Sequence, residues 1–136
     1  MTIGRLSRRT GVSVKLLREY EDLGLIYTVG RSEGNYRLFD DEALWCVGVV
    51  TMLRGLGLTL AEITELAATY LQATDEPVGP RVASLLETVR ARTMQQIEAL
   101  EGRLRRIEEF EAAHVQELAG RLDFRAHDPR FPQNTA

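Results

Sequence analysis

Cysteine is almost missing from this sequence: Cys46 stands alone among 136 residues. A single thiol excludes an intrachain disulfide and any zinc cage built from several thiolates. Long apolar runs are missing as well. No stretch approaches the ~20 consecutive apolar residues of a membrane-spanning helix. Gly4, Arg5, Ser7, Arg8 and Arg9 interrupt the N-terminus before a signal peptide can form. The expectation is a cytoplasmic protein with no membrane partner. No paired carboxylates, no nucleophile–base set and no phosphate-cradling glycine loop occur, so the chain is not expected to be an enzyme. No catalytic residue, no metal ligand and no cofactor is assigned. Lysine is nearly missing too: Lys15 is the one lysine among seventeen cations, the rest being arginine. Arginine favours forked contacts to phosphate or guanine, although a GC-rich genome gives the same bias.

What is present narrows the class. An apolar content of 44% excludes wholesale disorder. The length fits one globular domain, or a small domain with a long helical extension. The net charge of −3 hides an asymmetry. Residues 1–39 carry seven cations and four acids, whereas the remainder carries ten arginines and sixteen acids. A basic head on an acidic body directs an anionic partner to the N-terminal end.

The segment Thr10 to Glu21, TGVSVKLLREYE, reads as the turn and second helix of a helix-turn-helix. Gly11 supplies the turn and Ser13 the N-cap. Val14 and Leu17 lie three apart and can pack inward with Leu16, leaving Lys15, Arg18 and Glu19 largely outward. A short helix with outward cations and an N-terminal hydroxyl suits the major groove; the plainer reading is an amphipathic surface helix. A preceding short helix is capped by Thr2. Gly24 ends the second helix, with Leu25 and Ile26 beside it.

Two β-prone runs follow, Tyr27–Val29 and Tyr36–Phe39, around a turn from Gly30 to Asn35. This predicts a hairpin, or wing, whose Arg31, Tyr36 and Arg37 can reach phosphates or a minor groove; a solvated hairpin is the alternative. Asp40 or Asp41 opens a third helix to about Leu56, apolar on nearly every side, which implies a second packing partner, expected from another subunit. Thr59-Leu60-Ala61-Glu62 is a capping box opening a fourth helix. From Arg81 to Leu118 runs a proline-free candidate helix of about 57 Å, too long to bury against so small a domain. Ile97, Leu100, Leu104 and Ile107 follow the 3-4-3 spacing of a coiled-coil seam, and Val89 lies upstream, where the phase slips. The chain offers no second helix of that length, so self-association is the economical answer. The expected division is a winged helix-turn-helix domain at 1–71, a linker at 72–80, a dimerisation helix at 81–119 and a short tail at 120–136.

In this order of elements the chain resembles the MerR family of bacterial transcriptional regulators. The matching motifs are TIGRLSRRTGVSVKLLREYEDLGLI, RSEGNYRLFD and LRGLGLTLAEI, covering about residues 2–66. The coil matches in form rather than sequence. The resemblance implies a mainly α, winged-helix homodimer joined by an antiparallel coiled coil, seated on a promoter dyad of double-stranded DNA. There the family twists and bends an overlong spacer so that RNA polymerase can engage. Carried over by position, Ser13, Lys15 and Arg18 belong to the recognition helix. Tyr20 takes the second place of a paired aromatic motif, Tyr36 and Arg37 are wing contacts, and Arg31 is a further phosphate contact. Val89, Ile97, Leu100, Leu104 and Ile107 are the expected dimerisation residues. Glu19 departs from the pattern, standing where the family usually has an aromatic; it either reads a cytosine amine or turns away. Trp45, Cys46 and Met52 replace residues that are usually charged.

The signal is not assigned. The thiolate cysteines of the family's metal sensors have no counterpart here, an iron–sulfur cluster lacks its cysteine set, and a short tail cannot form a drug-binding domain. Cys46 is either a core cysteine or a one-thiol switch. His114 and His127, with Asp123 and Asp128, match no recognised metal spacing. Trp45, Tyr70, Phe110, Phe124 and Phe131 are either core or the lining of a pocket for a small-molecule effector. The expected function is therefore a dimeric, DNA-binding transcription regulator. The alternatives are an architectural DNA-binding dimer without an effector and a protein-only coiled-coil adaptor.

Overall fold

The structure is a computed structural model that describes residues 1–72 and 75–132. Its elements are helices α1 (Ile3–Thr10) and α2 (Val14–Asp22), strands β1 (Gly30–Arg31) and β2 (Arg37–Leu38), helices α3 (Asp41–Gly55), α4 (Leu60–Leu71), α5 (Gly79–Ala113) and α6 (Val115–Leu118), and a 3-10 turn at Phe124–His127. The fold is mainly α, as the sequence implied, with one two-stranded antiparallel sheet. The chain forms two compact units, Met1–Ala91 and a second beginning at Arg92.

The starts of α1 to α4 are each set by a side chain that takes up a free backbone N–H. Thr2 accepts from Arg5, Ser13 from Leu16, and Asp40 from Ala43. Thr59 and Glu62 complete the capping box in both directions, at 3.1 and 2.8 Å. Helix α2 ends in a Schellman motif: the Gly24 N–H donates to the Glu21 carbonyl at 3.0 Å and the Leu25 N–H to the Tyr20 carbonyl at 2.9 Å. That motif needs a left-handed residue, and Gly24 supplies φ 76°. The core then assembles from Leu6, Val12, Leu17, Tyr20, Ile26, Phe39, Ala43, Val47, Val50, Leu58 and Ile63.

The wing is shorter than the alternation suggested. Val29 only donates its N–H to the Leu38 carbonyl, and Gly30 is a strand residue paired with Leu38 rather than the start of the turn. The turn itself is closed by the Ser32 N–H to the Tyr36 carbonyl at 2.8 Å, with Asn35 left-handed at φ 64°. Asparagine tolerates this conformation better than most residues.

Helix α5 begins two residues before the expected start, because Pro80 has the fixed φ that suits a first helical turn. Its opening turns belong to the first unit. Val89 is 5% exposed and packs into the core, with partly buried Leu85 beside it. This corrects the assignment of Val89 to the dimer seam: its apolar face is already covered by its own chain. The contact is close at Gly57, where an added Cβ would come within 3.1 Å of Val89 Cγ1, and where φ is 104°. Arg81 also donates to the Thr69 hydroxyl of α4 at 2.8 Å. Of the expected 72–80 linker, Ala73 and Thr74 lie outside the described residues, as do residues 133–136 of the tail.

In the second unit α5 passes through Gly102 without a break and stops at Ala113 rather than Leu118. His114, at φ −127° and ψ 34°, leaves helical geometry, and α6 restarts after it. Ile97, Leu100, Leu104 and Ile107 are all exposed on this protomer.

Candidate nucleic-acid interface

The turn between α1 and α2 is held from both sides. Gly11, left-handed at φ 75°, donates its N–H to the Ser7 carbonyl at 2.9 Å, the Ser7 hydroxyl donates to the Val12 carbonyl at 2.6 Å, and the Thr10 hydroxyl donates to the Leu6 carbonyl at 2.8 Å. Leu6, Val12 and Leu17 are buried around this turn. Burial of Leu17 and Tyr20 turns the opposite side of α2 to solvent. Lys15, Arg18, Glu19 and Asp22 are all exposed and, at 3.6 residues per turn, share that outward face. Ser13 is exposed at its N-terminal end, its hydroxyl oxygen accepting from the Leu16 N–H at 3.1 Å. Glu19 therefore does not turn away; it stands outward beside Lys15, four residues apart.

Tyr20 is corrected. Its ring is 1% exposed and belongs to the core, so it supports α2 from behind instead of meeting a ligand. The aromatic pattern marked the position without revealing which way it faces. In the wing, Tyr36 is 67% exposed. Arg31 is exposed, and its Nη1 donates to the Asn35 carbonyl at 3.1 Å, bracing the tip. Arg37 Nη1 donates to Glu21 Oε1 of α2. The sequence reading did not single out Glu21; sixteen positions separate it from Arg37, and no local pattern marks the pair. Arg5, Arg8 and Arg9 of α1 are exposed as well, and were read only as part of the basic head.

Cys46 is partly buried, and its thiol is pushed above the ordinary range, first by burial and then by the carboxylates of Glu42 and Asp40. A thiol held protonated is a poor nucleophile and metal ligand. In the second unit the His114 ring stacks on Phe110 at 4.1 Å between centroids, and Phe124 lies 6.1 Å from Phe110. Asp123 is held below the usual carboxylate range by the Arg125 N–H and guanidinium, and Asp128 by the Arg130 guanidinium and N–H. Both acids are thus engaged by arginines rather than gathered around the histidines. Among the described residues no three His, Cys, Asp or Glu side chains come together as a metal site. Trp45 and Met52 of α3 are exposed, at 63% and 59%. Among those residues no helix is long and apolar enough to cross a membrane.

A capped helix-turn-helix with outward cations, flanked by a two-stranded wing, defines a winged-helix DNA-binding protein. Comparison with known proteins makes this specific. Residues 1–69 match the MerR HTH family regulatory protein model. The heavy metal-dependent transcription regulator 2 of Rhizobium meliloti is 32% identical over 120 residues, spanning 88% of this chain and 75% of that protein. Among solved structures, PbrR691 of Ralstonia metallidurans CH34, in complex with lead(II), aligns with a TM-score of 0.69 at 28% identity, over 82% of this chain and 86% of that one. HiNmlR, a MerR family regulator lacking the sensor domain and bound to promoter DNA, aligns with a TM-score of 0.59 at 27% identity, over 87% and 92%. The chain belongs to the MerR family of DNA-binding transcription regulators. The three relatives named here are regulators.

Proposed function

We propose that the protein is a homodimer that binds a promoter dyad and distorts its spacer to control engagement of RNA polymerase. The outward face of α2 carries the reading: Lys15 and Arg18 are exposed on it, Ser13 stands at its N-terminus, and Arg31, Tyr36 and Arg37 of the wing extend it. Lys15 and Arg31 supply phosphate contacts that set register, and Arg18 and Glu19 read base edges. Residues 1–71 bind DNA and α5 joins two copies. The seam at Ile97, Leu100, Leu104 and Ile107 is exposed on one protomer, and an apolar stripe of that spacing is covered by a matching helix.

HiNmlR is bound to promoter DNA, which supports the DNA arm of the proposal. The names of the Rhizobium regulator and of the PbrR691 complex point to metals as signals. Within these 136 residues the chain brings one thiol, raised in pKa, and that argues against a several-thiolate metal signal.

The test is salt-titrated binding to the DNA upstream of the protein's own gene, with footprinting. The expected result is a protected dyad across a long promoter spacer, with affinity falling steeply as salt rises. Weak binding indifferent to sequence would replace the regulator by an architectural dimer. No binding at all would leave a protein-only coiled-coil adaptor.

A further inference from the structure

The junction between α2 and the wing carries an acid on a surface that should favour cations. Glu21 lies one residue before the end of α2, and its side chain is 19% exposed, against 55% for its partner Arg37. Oε1 accepts from Arg37 Nη1, whereas Oε2 is buried with no hydrogen-bond partner among the described residues. A carboxylate so far withdrawn from water is costly unless a cation faces it. Arg37 sits in β2, next to Tyr36 and across from Arg31 of β1. Behind that strand, Leu38 bridges to Thr2 and Phe39 donates its N–H to the Met1 carbonyl at 2.6 Å. The wing is therefore pinned at its base by the backbone before α1, and on its flank by one ion pair to the recognition helix.

We propose that Glu21 is a positioning residue of the DNA-binding surface, and that Arg37 acts as the strut it holds rather than as a phosphate contact. The pair fixes the wing against α2, so that Tyr36 and Arg31 are presented in one register with Lys15 and Arg18. The inference rests on the reading of this face as the DNA surface. It makes a prediction opposite to plain electrostatics. Neutralising an acid beside a polyanion should tighten binding; removing a strut should weaken it.

The experiment uses the full chain and the operator defined by footprinting, with Glu21→Gln and Arg37→Gln compared over a salt series. The expected result is a loss of affinity on the order of tenfold for each variant, as for a charged hydrogen bond. Backbone protection disappears on the wing side of each half-site and persists where α2 lies. The slope of log affinity against log salt falls by a similar amount for both, because the phosphate contact of Arg31 is lost with the wing. A phosphate-contacting Arg37 would instead lower that slope by about one for Arg37→Gln alone and leave Glu21→Gln with the parent slope. Thermal melting of each variant separates a folding defect, which would erase the whole footprint, from a wing defect, which erases part of it. If Glu21→Gln fails to fold, Glu21→Asp, which keeps the charge and shortens the reach to Arg37, takes its place: weaker binding with the wing footprint lost is expected, and parent-like binding overturns the strut. Binding by Glu21→Gln equal to or tighter than the parent, with the wing footprint intact, overturns the strut while leaving the DNA reading standing. A parent protein that protects no DNA overturns both.

Discussion

At the scale of single residues, the outward face of α2 exposes Lys15, Arg18 and Glu19 together. Arg18 is exposed where Leu17 and Tyr20 on the same helix are buried, so its guanidinium is held toward solvent by the packing of its neighbours. Arg18→Ala should weaken specific binding by about 1–3 kcal/mol if it reads a base edge; a titration showing unchanged operator affinity would remove it from the site. Val89 presents the reverse case. Because it is buried against the core of its own chain, Val89→Ala should lower the stability of the protomer by about 1–3 kcal/mol. Denaturant unfolding reports that loss, and association should be little changed. A dimer constant that drops with stability intact would return Val89 to the seam.

At the scale of elements, the contrast is between helices defined by their caps and helices defined by what covers them. Ser13, Asp40 and the Thr59–Glu62 box are local signals, and each starts its helix where the sequence placed it. The wing was less readable. Two-residue strands carry too little alternation to set their ends, and pairing with Leu38 drew Gly30 out of the turn and into the strand. The end of α5 was unreadable for a related reason: His114 breaks the helix while lying within an apolar pattern that continues to Leu118. Its Nδ1 lies 2.9 Å from the Phe110 carbonyl, and its ring stacks on Phe110. The seam before that break gives the test at this scale. Leu104→Glu should dissociate the dimer, since a charge would be buried between helices. Sedimentation finding a dimer of undiminished affinity would refute the coil.

At the scale of the whole molecule, the exposed apolar residues of α5 and the exposed Trp45 and Met52 of α3 leave one protomer with uncovered apolar surface. Patches of this kind mark interaction sites. If two copies cover them, folding and association are linked, and the melting temperature should rise with protein concentration. Calorimetry over a hundredfold range of concentration checks this; a melting temperature independent of concentration would show that the protomer is stable by itself.

The sequence by itself determined where α1 to α4 begin, which residues turn the chain at Gly11 and Gly24, and which face of α2 carries Lys15 and Arg18. These depend on neighbours within a turn or two, so local patterns contain them. Only the tertiary structure decided that Tyr20 faces the core, that Val89 is spent on its own chain, and that Glu21 holds Arg37. Periodicity states that a residue has an apolar neighbour without naming it. Glu21 and Arg37 are sixteen positions apart, and the packing of the wing against α2, which no local pattern records, brings them together.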